Sequence, residues 1–544
     1  MTLTQSGHHS MGREINIDLI RALEEQIEEG KGDIIKLKRV RNSLLNISTR
    51  VPPEILGHIF VWSFVEAGWV DSWRTEGLQK GSYNFLLVCH HWFEVASGTP
   101  ELWASWGTTL QDWKKRRRHW AGSSPLDLVL DGGKSDPFVT FDKFLQGAVR
   151  SRVMKDTIRR VHLVSHDSDT LATIVSSLTP DDKGGQNENI ESIVWRNRGF
   201  TTVDVSNFFA RSRLSRLRFL DLYGEIQILS WDHLASRTTL LTALSLDISM
   251  SPSTPTISGA RLLSILTSNP NLQELTLSDA GLPGDADTST FKVQLAHLKT
   301  LSLTGEPRHL SGLLHQLILP DMLDDMSLAG SGSTAEDMSQ ILAPYLQDYF
   351  RRNTSFRDRL MVSTSCDDSV SISVDVISTQ AAPPTREPPQ VSLTVFTDLP
   401  PYALGQSLIS LITLVPGEYV VDLDCDFDME LPEDLFFMMP NIESLCLSDV
   451  FLSPGFLQPS PNGPHADTKL LPSLESLCLR DIFLSDNDWS HLTTYLAHQT
   501  SDGQAISFYI FGDTPHMPQE VVDEIEDLVK EFGRQEDQGV DESE

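Results

Sequence analysis

Apolar residues recur every three or four positions near the start of the chain, with charged residues between them. This spacing predicts one amphipathic helix or a short coiled coil over residues 14–46, preceded by a disordered segment over residues 1–13. Gly30 and Gly32 interrupt the pattern, and each glycine costs about 1 kcal/mol relative to alanine inside a helix. A helix that folds back on the body of the protein is therefore favoured over a long zipper, with self-association as the alternative.

Two shorter helices follow, separated by an insert over residues 61–84. Pro52 and Pro53 favour a helix start, because proline lacks the N–H that would be unpaired there. The apolar residues of this helix are Ile55, Leu56, Ile59 and Phe60. The apolar residues of the second helix are Leu86, Cys89, Trp92, Phe93 and Ala96. A Gly98-Thr99-Pro100 stop ends it, so the pair predicts a small helical module.

A basic segment follows this module. Trp106, Trp113 and Trp120 are spaced by seven, which predicts a linker helix over residues 106–124 with the indoles on one face. The cations of residues 114–118 would lie on the other faces. A solvated basic face is the preferred interpretation, and a nuclear-localisation signal is the alternative.

The second half of the chain contains an internal repeat. Residues 270–279, 440–449 and 472–481 share the pattern Pro-x-Leu/Ile-x-x-Leu-x-Leu, and looser copies lie at 217–222, 241–246 and 298–303. Within residues 217–303 and again within 440–481, successive copies are 24 to 32 residues apart, with helices between them such as the one predicted over residues 260–267. The segments resemble leucine-rich repeats, and this resemblance implies a stack of parallel strands with helices that close each unit.

Within each predicted strand the leucines point to one side and polar residues to the other. The polar side forms an open face on which a protein target would bind. The candidate target-binding residues are Glu274, Thr276, Ser278, Ser444, Ser448 and Arg480. The asparagine that usually follows the strand is replaced by Ala280, Val450 and Ile482, which predicts an irregular solenoid.

The repeat fades over residues 330–416 and again near the end of the chain. Residues 370–376 and 391–397 alternate as strands do, and the proline-rich residues 381–389 between them predict a mobile loop. Apolar residues from Val521 to Val529 predict one amphipathic helix, followed by a disordered acidic tail.

Charge is divided unequally along the chain. The net charge is −32, but residues 1–120 carry 15 basic and 14 acidic side chains, so residues 121–544 carry −33. This excess of acid argues against nucleic acid or an anionic membrane as partner and favours a basic protein target. No apolar run approaches the ~18 residues of a membrane span. Five scattered cysteines indicate reduced thiols, and we expect a cytoplasmic or nuclear protein.

Several sequence patterns suggest chemistry without completing a site. Asp422, Asp424, Asp426 and Asp428 alternate with apolar residues, which predicts an exposed strand face; calcium binding is the alternative, but glycine is missing from the sixth position of an EF-hand loop. Gly132-Gly133-Lys134-Ser135 lacks the first glycine of a phosphate-binding loop. His90 and His91 lack a third donor. We therefore expect no catalytic residues, metal or cofactor.

The helical module resembles the F-box, in the version common in fungal F-box proteins. The resemblance rests on the order Pro-Pro-Glu-Ile-Leu-x-x-Ile-Phe, then Leu-Leu-Val-Cys-x-x-Trp, then Thr-Pro-x-Leu-Trp. It implies a module that docks on the Skp adaptor of a cullin-based ubiquitin ligase. The contacts it implies are Pro52, Pro53, Ile55, Leu56, Ile59, Leu87, Val88 and Trp92.

Together these observations predict an α/β protein, with an N-terminal helical F-box module followed by an irregular leucine-rich-repeat solenoid. The expected domains are an N-terminal helix (14–46), the F-box (47–105), the linker helix (106–124), the repeat domain (125–515) and the acidic tail (516–544). The expected function is non-enzymatic: substrate recognition for a ligase, with Skp and through it cullin as partners. A leucine-rich-repeat scaffold without a ligase is the alternative.

Overall fold

The structure is a computed structural model of the 544-residue chain. It describes residues 17–28, 37–38, 40–41, 51–62, 88–103, 105–106, 124–132, 158–180, 187–229, 231–248, 257–278, 292–321, 323–330, 335–352, 359–365, 370–377, 390–397, 404–415, 417, 420–426, 434–448, 470–482, 484, 486–501, 503, 506–511 and 517–535. The chain divides into two compact units, residues 1–166 with 180–190, and residues 167–179 with 191–544. The domain limit expected at residue 125 thus falls inside the first unit.

The first unit contains helices followed by a small parallel sheet. Its elements are α1 Ile17–Glu28, α2 Pro53–Val61, α3 His90–Ser97, α4 Pro100–Trp103, β1 Ser105–Trp106, β2 Leu126–Gly132 and β3 Ile158–Ser165. The strand β2 pairs in parallel with both β1 and β3. Trp106 pairs with Leu128 and lies in a strand, so the prediction that it starts a linker helix is wrong. Residues 107–123 lie outside the described residues.

Helices α2, α3 and α4 enclose a core of their own. The thiol of Cys89 accepts a hydrogen bond from the backbone N–H of Trp92 at 3.5 Å and caps the start of α3. The Trp103 indole Nε1 donates to the carbonyl of Ala96 at 2.5 Å, which ties α4 to the end of α3. The buried residues of this core are Leu56, Phe60, Val95, Ala96, Leu102 and Trp103.

The second unit alternates strands with helices. Its helices are α5 Ser168–Leu178, α6 Ser206–Arg211, α7 Trp231–Arg237, α8 Gly259–Ser268, α9 Pro307–Gln316, α10 Ala335–Arg352, α11 Leu404–Ile412, α12 Asp434–Phe437, α13 Asp486–Thr500 and α14 Gln519–Leu528. The strands of its main sheet are β4 Ser192–Asn197, β6 Phe219–Gly224, β8 Ala243–Asp247, β9 Glu274–Leu277, β11 Thr300–Gly305, β13 Asp325–Gly330, β14 Arg359–Ser365, β15 Val370–Ile377, β16 Gln390–Thr397, β17 Asp422–Asp426, β18 Ser444–Ser448, β19 Ser476–Arg480, β20 Ser507–Phe511 and β21 Glu531–Gln535. Two smaller parallel pairs join β5 Val203–Asp204 to β7 Ile226–Gln227, and β10 Val293–Gln294 to β12 Leu317–Ile318.

The main sheet is mostly parallel and follows chain order over long stretches. The strands β4, β6, β8, β9, β11 and β13 pair successively in parallel, as do β17 to β21. The repeated leucines fall in register: Leu220 pairs with Leu244, and Leu275 pairs with both Leu244 and Leu301. All four are buried. The predicted α/β class, with parallel strands built on these leucines, is confirmed.

The region where the repeat fades departs from this pattern. The predicted strands at 370–376 and 391–397 form as β15 and β16, and β15 runs antiparallel to both β14 and β16. The strand β16 is parallel to β13, and β14 is parallel to β17, so this three-stranded segment links the two parallel stretches. The strand β14 was not predicted. The predicted loop at 381–389 lies outside the described residues.

The tail contains more structure than its charge indicated. The predicted helix forms as α14, with Val522 and Ile525 buried. A strand that was not predicted, β21, follows at 531–535 and pairs in parallel with β20. The residues after 535, where the disordered acidic stretch was predicted to end the tail, lie outside the described residues. Phe532 stacks on the buried Phe508 of β20 at a centroid distance of 6.0 Å, which gives this strand its apolar contact.

A buried asparagine at the end of β4 holds one turn of the second unit. The Asn197 amide donates to the carbonyls of Thr201 and Glu225 at 2.8 Å each, and its Oδ1 accepts from the N–H of Gly199 and the hydroxyl of Ser168. The position predicted to lack an asparagine in three other copies lies one residue further along the repeat. Of those three residues only Ile482 is described, and it is buried.

Candidate interaction surfaces

Helix α2 carries large apolar side chains on two of its sides. Leu56 and Phe60 face the core of helices α2–α4, with Leu56 only 3% exposed. Ile55 and Ile59 lie one helical turn apart on the other side and are 52% and 47% exposed. Two apolar residues therefore point to solvent although the local core is already filled.

The neighbouring helix adds to this exposed apolar surface. Val88, just before α3, is 54% exposed, and Phe93 within α3 is also exposed. Trp92 is half-buried and meets the ring of Phe60 edge to face at a centroid distance of 5.0 Å. Its buried indole Nε1 finds no hydrogen-bond partner among the described residues. We call the set Ile55, Ile59, Val88 and Phe93 the apolar patch.

Most of the residues assigned to adaptor binding are accessible, and one is not. Pro52, Pro53, Ile55, Ile59 and Val88 are exposed and Trp92 is half-buried. Leu56 is a core residue, because the turn of helix that presents Ile55 to solvent directs the next side chain inward. The remaining residue of the set, Leu87, lies outside the described residues.

Two exposed aromatic residues were not assigned to this surface. Phe93, one of the apolar residues of its predicted helix, is 39% exposed, and Trp62 at the end of α2 is 74% exposed. The sequence does contain a signal for Phe93: it follows Trp92 directly, and two successive residues of a helix are about 100° apart around its axis. Because the indole of Trp92 packs against the core, the ring of the next residue points toward solvent.

The second candidate surface is the polar side of the main sheet in the second unit. Glu274 and Arg480 are exposed, and Thr276, Ser278 and Ser444 are half-buried at outward positions of their strands. Ser448 is buried, so it is a poor target contact. The prediction that β9, β18 and β19 alternate between leucines on one side and polar residues on the other is confirmed.

Acidic residues outnumber basic ones at the outward positions of this sheet. The acids are Asp221, Asp247, Glu274, Asp325, Asp375, Asp422, Asp424, Asp426 and Glu531, and the bases are Arg196, Arg359 and Arg480. Arg359 contacts Asp424 at 3.2 Å, and Arg480 lies over the ring of Phe511 at 5.9 Å. The predicted strand face of alternating aspartates is confirmed for Asp422 to Asp426, while Asp428 lies outside the described residues.

One ion pair on this side of the sheet is buried. The Arg196 guanidinium contacts the Asp221 carboxylate at 2.6 Å. Burial raises the pKa of Asp221 against the opposing effects of Arg196 and of a hydrogen bond from Ser245, and burial also lowers the pKa of Arg196. The attraction between the two charges offsets the cost of burying them, so the pair holds β4 to β6. Because the two charges neutralise each other, the pair attracts a charged ligand only weakly.

A metal site and a membrane-spanning helix are both absent from the described part of the chain. There, no group of three or more histidine, cysteine, aspartate or glutamate side chains is placed to hold a metal ion. Among the same residues no helix has the length and apolar character needed to cross a membrane. No protein-family model matches the chain, and no curated protein matches it. Function is therefore inferred from the two surfaces themselves.

Proposed function

We propose that this protein is the substrate-recognition adaptor of a Skp–cullin–F-box ubiquitin ligase. In this proposal helices α2–α4 are the F-box and dock on the Skp adaptor, in the cytoplasm or nucleus. The observation that carries it is the apolar patch, because its isoleucine, valine and phenylalanine side chains are exposed on or next to helices whose core is formed by other residues. Exposed apolar side chains that adjoin one another mark protein-binding surfaces, and the proposal places these four residues on one such surface.

The residues proposed to contact the Skp adaptor follow from their exposure. Ile55, Ile59 and Val88 provide the apolar contacts, and Pro52 and Pro53 lie exposed at the start of the same helix. Phe93 is included among these contacts because it is exposed. Leu56 supports the surface from behind through its contacts in the core, and Trp92 lies at the edge of that core.

The second unit is proposed to be an irregular leucine-rich-repeat solenoid that holds the ligase target. Support comes from the repeated Leu-x-Leu pattern and from the register in which those leucines pair along the sheet. The polar side of the sheet is acidic, so the proposed target is a basic protein surface. The ubiquitin transfer itself belongs to other subunits of the ligase.

Co-purification of the full chain with the Skp adaptor tests the proposal. The wild-type chain is expected to form an equimolar complex. Ile55→Asp combined with Ile59→Asp is expected to weaken binding at least 30-fold, because truncating a central interface residue costs about 2 kcal/mol or more and desolvating an introduced carboxylate adds to this cost. Both positions are exposed, so the helix should still fold, which circular dichroism would check.

Leu229→Asp provides the matched control. Leu229 is a similarly exposed apolar residue of the second unit, and its replacement should leave adaptor binding unchanged. A wild-type chain that fails to bind the Skp adaptor, or a double variant that binds as well as wild type, would contradict the ligase assignment. The first of these results would leave a repeat scaffold without a ligase as the function.

A further inference from the structure

Two cysteines lie side by side on the outward side of the main sheet. Cys446 is the central residue of β18 and Cys478 is the central residue of β19, and the two are partners in the parallel register. Both are half-buried, whereas Cys425 on β17 points to the opposite side and is fully buried. Earlier strands carry hydroxyl residues in the same row: Ser245, Thr276, Ser302 and Ser327.

The surroundings of the two thiols differ. The hydrogen bond from the Cys478 thiol lowers the pKa of Cys446, with further help from Arg480 and Ser448, while partial burial and the charge of Asp424 act against it. The same hydrogen bond raises the pKa of Cys478. Cys446 is therefore the thiol of the pair whose pKa is shifted toward the thiolate form, which is the form that nucleophilic attack requires.

We propose that Cys446 and Cys478 form a dithiol site that reacts with hydroperoxides, with Cys446 as the nucleophile and Cys478 as the resolving thiol. Pairing of an accessible thiolate with an adjacent second thiol is the arrangement that allows reversible oxidation. The site is independent of the proposed ligase function, because it rests only on the geometry of β18 and β19.

The chemistry balances without any other reactant. The Cys446 sulfur attacks one oxygen of the hydroperoxide, the O–O bond breaks, and the departing oxygen takes a proton and leaves as water or an alcohol. Cys446 is then a sulfenic acid. The Cys478 sulfur attacks the Cys446 sulfur, the S–O bond breaks, and the departing hydroxide leaves as water with the Cys478 proton. The two sulfurs lose two electrons in total, and the O–O bond gains them.

The backbone permits the two sulfurs to join. Paired strands lie about 4.8 Å apart, and disulfides span Cα separations of about 4.4–6.8 Å. The two side chains occupy directly paired positions and point to the same side of the sheet. Closing the bond therefore needs a rotation of the side chains and a small adjustment of the strands, with no change of register.

Peroxide treatment of the reduced full chain tests the proposal. Hydrogen peroxide is added, the free thiols are alkylated, and peptides are identified by mass spectrometry. A peptide pair joined by a Cys446–Cys478 disulfide is expected, and dithiothreitol should restore both thiols. Cys446→Ser should abolish the cross-link and slow oxidation of Cys478 at least tenfold. Cys478→Ser should leave a Cys446 sulfenic acid that dimedone traps.

Cys89 supplies the internal reference. It is also half-buried but lies in the first unit, at the start of α3, so Cys89→Ser should leave the cross-link intact. Serine is close to cysteine in size, and circular dichroism would confirm that each variant folds. The proposal is overturned if Cys446 in the wild-type chain oxidises no faster than Cys89, or if the disulfide that forms omits either Cys446 or Cys478.

Discussion

Ile55 and Leu56 are sequence neighbours with similar side chains and different surroundings. One step along an α-helix rotates the side chain by about 100°, so Ile55 reaches solvent while Leu56 enters the core of helices α2–α4. Substituting Leu56 would damage folding as well as any surface, because removing a buried leucine side chain costs about 2–5 kcal/mol. Substitutions at Ile55 and Ile59 separate binding from folding.

Gly224 is required by its backbone conformation and by its contacts. It ends β6 opposite Asn197 with φ of 86°, and an added Cβ would lie 1.9 Å from the Asn197 carbonyl oxygen. Gly224→Ala should therefore lower the Tm of the second unit strongly, because the Asn197 turn has to move. Thermal unfolding followed by circular dichroism measures the effect, with about 2–4 °C expected for each kcal/mol.

Gly503→Ala measures the cost of backbone strain without the contact that Gly224→Ala would make with Asn197. Gly503 has a similar φ of 81°, but no described atom lies within 4 Å of its added Cβ. Its replacement should cost only the 1–2 kcal/mol or so of a left-handed residue with a side chain. Equal losses of Tm in the two variants would show that the contact with Asn197 does not add to the destabilisation.

The alternation of leucines and polar residues predicted individual strands correctly. The Leu-x-Leu segments became β9, β18 and β19, because alternation fixes which side of a strand is buried. The pattern could not identify β1, whose two residues are a strand only because they pair with β2, far along the chain. It also could not separate Ile55 from Leu56, because both belong to one continuous apolar run and only the packing of α3 and α4 distinguishes them.

The strand β21 illustrates how a strong charge bias hides an element. The tail is acidic, and this composition led to the prediction that it ends in a disordered stretch, with no strand after α14. Phe532 nevertheless stacks on Phe508, and the backbone of 531–535 pairs with β20. One aromatic contact and a parallel ladder thus outweigh the surrounding composition.

Two truncations test the contribution of β21. A chain that ends at Lys530 lacks the strand and should expose Phe508 and the ladder edge of β20. We expect a lower Tm and faster amide hydrogen exchange at the residues of β20 whose N–H groups point to β21, because these donors lose their partners. Ser507, whose N–H donates to Glu475 on the other side, should exchange as before. A chain that ends at Gln535 keeps β21 and should match the wild type. If both truncations exchange alike at β20, the strand contributes nothing to this part of the sheet.

The proposed adaptor surface and the polar side of the main sheet belong to parts of the chain that differ in net charge. The proposed adaptor surface is apolar, and residues 1–120 are nearly neutral in total, with 15 basic and 14 acidic side chains. The polar side of the main sheet belongs to the part of the chain that carries −33. Apolar docking depends little on salt, whereas attraction of a basic partner is screened within about 10 Å at 0.1 M ionic strength. The two binding events should therefore respond differently to ionic strength.

Peptide binding by charge variants should show which acidic residues attract a basic partner. An immobilised full chain should retain an oligolysine peptide at low salt and release it as salt rises, while an oligoglutamate peptide should not bind. Glu274→Lys with Asp325→Lys changes two outward residues of β9 and β13, and Glu336→Lys with Asp337→Lys makes the same charge change on exposed positions of α10. If the outward side of the sheet is the binding surface, the first pair should reduce retention several-fold more than the second. Equal effects would mean that only the net charge attracts the peptide. The outward side of the sheet would then not be the binding surface for a basic target.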